Sequence, residues 1–270
     1  TCVLNFENSK GIMIGPENKG LSSMFTMMNL ERIVVGVQGL GIAETAYQNA
    51  VAYSKERKQG KANNSTNGET DLIIKHADIR RSLMNMKSII EGQRSFAFWL
   101  SQQIDVSLSH DDKDVRNHAS NMVALLTPVI KSFFTDNGVE ITNDAIQVFG
   151  GYGYTKDQGI EQLFRDNRIT PIYEGTNSVQ AIDLVYRKIS SEGVFENFIK
   201  SMDSEIKNYK NEKNLENFLN IFEKYKEILV SFTKWMRDKM NSNKDDASAA
   251  CNDYLKVLGY TALAFAWIKT

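Results

Sequence analysis

Two short glycine-containing segments hold the residues best suited to chemistry. In the first, Pro171-Ile-Tyr-Glu-Gly-Thr-Asn177, a carboxylate directly precedes Gly-Thr-Asn. A carboxylate can act as a general base, and Thr176 or Asn177 can cap a following helix whose first amides could bind phosphate. A capping turn beside a solvated Glu174 accounts for the same residues without catalysis. From the residues alone, both interpretations stand.

The second segment is Gln147-Val-Phe-Gly-Gly-Tyr-Gly-Tyr154. Adjacent glycines after a predicted helix let backbone N–H groups approach an anion closely. A tight turn between two helices explains Gly150 and Gly151 equally well. Again, both interpretations stand.

Other catalytic patterns are missing from the sequence. It has no HExxH, GxSxG or P-loop motif, and its three histidines share no metal-ligand spacing, so no metal site is predicted. Gly36-Val-Gln-Gly-Leu-Gly41 has some likeness to a dinucleotide-binding loop. Its GxxGxG spacing and its position inside a predicted helix, with no preceding strand, exclude that function.

Composition excludes several further classes. The chain has 270 residues, of which 42% are hydrophobic and 24% charged, as in ordinary globular proteins. Its net charge of −1 provides no field for nucleic acid or anionic lipid. Cys2 and Cys251, without a nearby histidine, are interpreted as packing residues, and so few cysteines favour a reducing compartment, the cytoplasm. The longest mostly apolar stretch, over 257–268, is shorter than the ~20 residues of a membrane span.

Long helices must position the two segments. The chain has only three prolines, and its apolar residues recur with a period near 3.6. Gly36, Gly39 and Gly41 lie inside the first predicted helix, where each costs about 1 kcal/mol relative to alanine, so we expect another backbone to pass close by. The predicted helices cover 21–58, 71–109, a stretch up to about 135 with Pro128 as a kink, and a short piece at 143–149; a polar loop covers 60–70.

The predicted fold is all-α: an up-and-down helical bundle with a short β remnant at the N-terminus and extra C-terminal helices. Residues 1–20 mix short apolar runs with glycine and proline, which is typical of strand and turn. Helical patterns over 160–164 and from 175 to 190 complete the bundle, and a Lys-, Asn- and Glu-rich segment continues it. The predicted domains are 1–18, 19–189 and 190–270.

The motifs together resemble the C-terminal domain of the acyl-CoA dehydrogenases. Several sequence motifs of that domain occur in this chain, in the family's order, over roughly residues 10–190. They are Asn29-Leu-Glu-Arg32, Tyr53-Ser-Lys-Glu-Arg-Lys-Gln59, Gln147-Val-Phe-Gly-Gly151, Arg165-Asp166 and Ile172-Tyr-Glu-Gly-Thr-Asn177. The methionine-rich Met24-Phe-Thr-Met-Met28 and the appended helices are similar to the larger bacterial branch, which includes long-chain and 3-methylmercaptopropionyl-CoA dehydrogenases.

The resemblance implies a reaction and a substrate site. Glu174 would remove the pro-R α-proton of an acyl-CoA thioester while the β-hydride passes to FAD. Tyr173 would lie beside the thioester, and the backbone N–H of Glu174 would polarise its carbonyl. Arg32 would line the cleft, with Met24 and Met28 as adaptable walls for the acyl chain. Some members of the family place the base at the position of Glu31; the complete Tyr-Glu-Gly-Thr context favours Glu174.

The resemblance also implies a cofactor and partners. Thr176 and Ser178 would contact FAD, whereas a second set would meet the adenine-diphosphate half of a flavin bound by the other subunit of a homodimer or larger homo-oligomer. That set is Arg57, Gln59, Gln147, Gly150 and Gly151. Many relatives have Phe-Gly where this chain has Gln59-Gly60, so an aromatic flavin contact is unaccounted for. Electrons would go to an electron-transfer flavoprotein.

Two alternatives to a dehydrogenase stay open: an acyl-CoA oxidase, and a helical interaction module without catalysis. The family also has an N-terminal helical domain and a middle β-domain, of which only a last strand could fit into residues 1–18. We therefore expect this chain to be a fragment, a stable bundle that alone binds little FAD and has no turnover.

Overall fold

The structure, a computed structural model, describes residues 2–63, 70–191 and 193–270. Within these residues the secondary structure is helical, apart from one isolated antiparallel bridge between Lys58 and Leu72. This confirms the predicted all-α fold. Thr1, the centre of the predicted polar loop (64–69) and residue 192 lie outside the described residues.

Nine α-helices follow one another along the described chain, with short 3-10 turns between some of them and a π-helical segment, Leu184–Ile189, after the sixth. They are α1 Gly20–Ser54, α2 Ala77–Ser109, α3 Lys113–Phe149, α4 Gly151–Tyr154, α5 Ile160–Arg168, α6 Asn177–Asp183, α7 Val194–Ile206, α8 Glu216–Ser242 and α9 Lys244–Ile268.

The predicted division of the third helical stretch is wrong, because α3 is continuous. Thr135, Asn137 and Thr142 lie in the predicted gap between about 135 and 143. In the structure they are buried and satisfied within the helix: the Asn137 side chain donates to the Phe133 carbonyl at 2.6 Å, and Thr142 donates to the Gly138 carbonyl at 2.9 Å. Pro128 lies inside this helix, as predicted.

The predicted strand at the N-terminus is also not observed. Residues 2–19 have no regular secondary structure, and apolar side chains such as Val3, Ile12 and Ile14 are more than 90% exposed. A strand needs a partner strand for its backbone hydrogen bonds, and no described residue provides one here. The first helix differs only slightly from the prediction, since it ends at Ser54 rather than at residue 58.

Glycines bring α1 and α3 into close contact, as predicted for two of the three. A Cβ atom on Gly36 would lie 2.8 Å from the carbonyl oxygen of Ile130, and one on Gly39 would lie 3.1 Å from the Cα of Thr135. A Cβ on Gly41 would meet nothing within 4 Å, so the packing explanation does not apply to that glycine. The crossing places the middle of α3 directly against α1.

The helices after residue 190 share the core of the bundle. On α9, Gly259 lies against the ring of Phe133 of α3, and Trp267 fills the space over Gly92 of α2. Buried residues from α2, α3, α7, α8 and α9 belong to one continuous apolar cluster. The predicted extra C-terminal helices are therefore confirmed, and they share the apolar cluster of the bundle.

None of the described helices combines the length and the apolar character needed to cross a membrane. Among the described residues, no group of histidine, cysteine and acidic side chains could hold a metal ion.

Candidate functional site

The loop that carries Glu174 connects α5 to α6 and lies against α1 and α3. The Tyr173 hydroxyl donates a hydrogen bond to the side-chain oxygen of Gln38 on α1. On the other side, Asn177 is hydrogen-bonded to α3. Both flanks of the loop are thus fixed by long helices, and Glu174 stands between them.

The backbone of the loop has an uncommon conformation at its centre. Both Glu174 (φ 57°) and Gly175 (φ 86°) are in the left-handed region. For a residue other than glycine this conformation costs on the order of 1 kcal/mol or more, and such strain is concentrated at functional sites. The Gln180 side chain stabilises it by donating to the carbonyls of Glu174 (3.1 Å) and Gly175 (3.5 Å).

Unpartnered buried polar atoms surround this turn. Oε2 of Glu174, Oε1 of Gln180 and Nε of Arg32 are buried, and none has a hydrogen-bond partner among the described residues. A Cβ on Gly175 would lie 2.7 Å from Nε2 of Gln180 and 4.0 Å from an Arg32 guanidinium nitrogen. Since buried polar groups are normally hydrogen-bonded, this set of one donor and two acceptors is suited to a polar ligand.

The Glu174 side chain itself is half-buried, not in bulk solvent. Arg32 lies nearby on α1, with its side chain 11% exposed, 4.0 Å from the Asp183 carboxylate and with its guanidinium 5.9 Å from the ring centre of Phe25. Met24 and Met28 precede Arg32 at intervals of four residues, so the three lie along one face of α1. Met24 is 40% exposed. This places the predicted substrate residues of α1 on one surface.

Tyr173 connects the two candidate bases. Its pKa is raised, chiefly by burial and then by the negative charges of Glu174 and Glu31, against which the Gln38 hydrogen bond acts. Both carboxylates therefore lie near the same phenol. Of the two, only Glu174 lies on the strained turn.

A buried lysine beneath the loop escaped the sequence analysis. Lys131 of α3 has no exposed surface, and its ammonium donates to Oδ1 of Asn177 at 2.8 Å. Asn177 in turn donates to Oδ1 of Asp136 at 2.7 Å. The available signal was a lone lysine within the apolar run Val129-Ile-Lys-Ser-Phe-Phe134 of a helix. Gln180 was missed as well, because nothing in its neighbourhood distinguishes it from a surface glutamine.

The second predicted segment lines a separate cleft of about 830 Å³ between α1, α2 and α3. All five residues predicted to meet an adenine diphosphate line it: Arg57, Gln59, Gln147, Gly150 and Gly151. Gly150 has φ 62°, and a Cβ on either glycine would meet nothing within 4 Å, so their backbone faces open space.

A short backbone pairing positions the end of α1 in this cleft. The Ile73 N–H donates to the Arg57 carbonyl (2.8 Å), and the Gln59 N–H donates to the Asp71 carbonyl (2.9 Å). His76 Nε2 also lies 2.8 Å from the Gln59 carbonyl. This arrangement holds the chain after α1 against the start of α2.

Aromatic rings complete the cleft. Tyr53 and Phe149 stack with ring centres 4.2 Å apart, and the Arg57 guanidinium lies 5.7 Å from the ring centre of Tyr152. None of these three rings was predicted to lie at the cleft. All three rings line the cleft and give it an aromatic surface.

The two predicted FAD contacts on α6 lie outside this cleft. Thr176 caps α6 by accepting a hydrogen bond from the Val179 N–H at 3.4 Å, which decides between Thr176 and Asn177 as the cap. The Ser178 hydroxyl accepts from the Asn252 amide of α9 at 3.3 Å. The structure therefore places the predicted cofactor residues in two separate groups.

The chain is similar to known proteins in both sequence and fold. The family model of the acyl-CoA dehydrogenase C-terminal domain matches residues 18–189. The chain is 39% identical over 193 residues to 3-methylmercaptopropionyl-CoA dehydrogenase of Ruegeria pomeroyi, with 72% of this chain and 33% of the relative covered.

Two solved structures share the fold over nearly the whole chain, appended helices included. Caenorhabditis elegans ACDH-11 in complex with C11-CoA has a TM-score of 0.74 at 24% identity, covering 95% of this chain and 42% of that one. Acyl-CoA dehydrogenase of Bacillus anthracis complexed with FAD has a TM-score of 0.74 at 18% identity, covering 93% and 43%. The chain spans about a third to two fifths of the length of the curated relatives it matches.

Proposed function

The chain belongs to the acyl-CoA dehydrogenase family, and on that basis we propose that the whole protein catalyses the FAD-dependent α,β-dehydrogenation of an acyl-CoA thioester. The observation that carries this proposal is Glu174: a half-buried carboxylate with one buried, unpartnered oxygen, on a strained turn next to Arg32. A carboxylate in this setting can accept a proton from carbon.

In the proposed reaction the Glu174 carboxylate takes the α-proton and becomes a carboxylic acid. FAD, when bound, would supply the acceptor for the hydride of the β-carbon. The electron pair left by the α-proton then forms the double bond between the two carbons. Tyr173 and the backbone N–H of Glu174 orient and polarise the thioester carbonyl, which makes the α-proton more acidic. Arg32, Met24 and Met28 line the path of the acyl chain along α1, where methionine side chains adapt to different ligand shapes.

The residues present fit the adenine-diphosphate half of FAD. The cleft combines open glycine backbone at Gly150 and Gly151 with a guanidinium from Arg57 and stacked aromatic rings. Backbone N–H groups and arginine suit phosphate oxygens, and aromatic faces suit an adenine ring. Because Thr176 and Ser178 lie outside the cleft, we propose that they contact a different flavin from the one in the cleft. This implies a homodimer or larger homo-oligomer.

Glu174 is preferred to Glu31 as the base because the strained turn and its two supporting hydrogen bonds from Gln180 are built around Glu174. The test uses the full-length protein under anaerobic conditions with an acyl-CoA substrate. Glu174→Gln should abolish bleaching of the flavin absorbance, and the matched variant Glu31→Gln should retain it. The reverse pattern would assign the role to Glu31.

The electron acceptor is proposed to be an electron-transfer flavoprotein. An acyl-CoA oxidase would instead transfer electrons to oxygen, so peroxide formed in air during turnover distinguishes the two. The two free cysteines favour a reducing compartment, and we place the protein in the cytoplasm.

A further inference from the structure

Lys131 is a charged residue placed in the interior, directly beneath the loop that carries Glu174. It lies in the middle of α3 and has no exposed surface. An ammonium group is costly to bury unless it is paired and hydrogen-bonded. Among the described residues, its ammonium has one hydrogen-bond partner, Oδ1 of Asn177, 2.8 Å away. The function of the buried lysine is therefore sought in what Asn177 does.

Asn177 connects α3 with both ends of the Glu174 loop. Its side chain donates to Oδ1 of Asp136 (2.7 Å) and to the carbonyl of Ser132 (3.2 Å), both on α3. Its backbone N–H donates to the Pro171 carbonyl at the start of the loop (3.0 Å). Asn177 is itself the first residue of α6. A shift of this one side chain would therefore move the loop at both ends.

We propose that Lys131 is a positioning residue for Glu174: its buried ammonium fixes the Asn177 side chain, and Asn177 holds the two ends of the loop that presents the carboxylate. The proposal deepens the proposed function and rests on it, since it takes Glu174 as the base. The hydrogen bond of Lys131 to the loop segment goes to Asn177 and not to Glu174, so the positioning that we propose acts through Asn177.

Charged groups from three elements face Lys131. Asp136 comes from its own helix, Arg32 from α1 and Glu174 from the loop. Burial, with a smaller contribution from the positive charge of Arg32, lowers the pKa of Lys131 to about 8, while the two carboxylates act in the opposite direction. Asp136 is itself faced by Lys256 of α9 and by Arg168 at the end of α5. The ammonium that anchors Asn177 is thus expected to lose its proton in mildly alkaline solution.

The test compares the full-length, FAD-loaded protein with Lys131→Met, Asn177→Ala and the double variant. Lys234→Met, which removes an exposed lysine of α8, is the control. We expect Lys131→Met to lower kcat at least tenfold with KM changed less than twofold, and to speed hydrogen exchange of the amides of 173–176 at least tenfold. The double variant should be no worse than Asn177→Ala, because the lysine acts through the asparagine. The wild-type profile of kcat should fall above about pH 8, and Lys131→Met should lack this decline.

Lys131→Gln keeps a donor without the charge, and serves if the methionine variant does not fold. It should show partial loss of kcat and no decline near pH 8. Unchanged loop exchange and kcat in either variant, or independent losses in the double variant, would overturn the proposal. If the wild type does not oxidise any acyl-CoA but Lys131→Met still loosens residues 173–176, the proposed function fails while the anchoring role stands.

Discussion

The side-chain amide of Gln180 donates to the main-chain carbonyl of Glu174, 3.1 Å away, across a turn in which Glu174 and Gly175 both have positive φ. The same nitrogen lies 3.5 Å from the Gly175 carbonyl, and Gln180 has no exposed surface. A single buried side chain thus compensates part of the strain in the turn that presents the candidate base.

Replacing Gln180 by alanine should therefore affect both stability and catalysis. Two loop carbonyls lose their buried donor, and a lost buried hydrogen bond of this kind costs about 1–3 kcal/mol. We expect urea unfolding to show a loss in that range and kcat to fall more than KM rises. Gln162→Ala, which removes an exposed glutamine of α5, is the control and should change neither. An active and fully stable Gln180→Ala protein would contradict the role of this side chain.

A second prediction concerns the crossing of α1 and α3, where two glycines of the same helix should respond oppositely to alanine. The added Cβ on Gly36 would lie 2.6 Å from a side-chain methyl of Ile130 and 2.8 Å from its carbonyl oxygen, so the helices must separate. Overpacking of this kind costs about 1–3 kcal/mol. The Cβ added by Gly41→Ala would have no atom within 4 Å, so this substitution should instead stabilise the helix by about 1 kcal/mol. Thermal unfolding of the two variants checks both signs; equal shifts would show that the crossing is looser than described.

Much of the fold could be predicted because helical periodicity and glycine spacing are local signals. The long helices, the close approach at Gly36 and Gly39, and the C-terminal helices all follow from such patterns. The errors arose where local and tertiary signals differ. No helix was predicted between about 135 and 143, yet burial of Asn137 and Thr142 against other helices keeps α3 continuous. The N-terminal apolar runs suggest a strand, yet a strand exists only with a partner.

The site residues also fall into those that local sequence patterns reveal and those that only the folded structure reveals. Glu174, Gly150 and Gly151 belong to short motifs that can be recognised in the sequence, and the structure brings the predicted cleft residues together. Lys131 and Gln180 could not be identified, because their roles depend on which backbone lies above them after folding. Asn177 shows the limit clearly: its sequence position suggested a helix cap, whereas its side chain bridges to α3 and Thr176 provides the cap.

A third prediction tests the cleft independently of catalysis. Gly151→Val adds a branched side chain where a Cβ meets nothing within 4 Å, and Gly151 does not have a positive φ. The fold should therefore tolerate it, with a thermal midpoint within a few degrees of wild type, while the side chain fills the cleft. We expect FAD affinity of the full-length protein to fall at least tenfold, measured by flavin fluorescence on titration. Lys55→Met, an exposed lysine just beyond α1, is the control. Undiminished affinity would mean that FAD does not occupy this cleft.

The last prediction follows from the buried ammonium of Lys131 and concerns stability as a function of pH. Burial lowers its pKa in the folded protein from 10.5 to about 8, so between these values the unfolded chain binds more protons than the folded one. The contribution of this lysine to stability therefore rises with pH in this window, the reverse of the usual case of a lysine stabilised by a partner. From pH 7.5 to 9.5 the contribution is about 2 kcal/mol in favour of the folded state.

Urea unfolding at these two pH values, with wild type, Lys131→Met and Lys234→Met, measures this contribution. Wild type and the exposed-lysine control should share the same pH dependence, and Lys131→Met should gain about 2 kcal/mol less stability over the interval. Burial raises the pKa of the Cys251 thiol to about 11 and also raises the pKa values of Tyr173 and Tyr260. These groups lower the stability of every variant as pH rises, so the difference between wild type and Lys131→Met, measured below pH 10, isolates the lysine. A Lys131→Met protein with the wild-type slope would show that this lysine remains protonated throughout, held by Asp136 and Glu174 more strongly than burial opposes it.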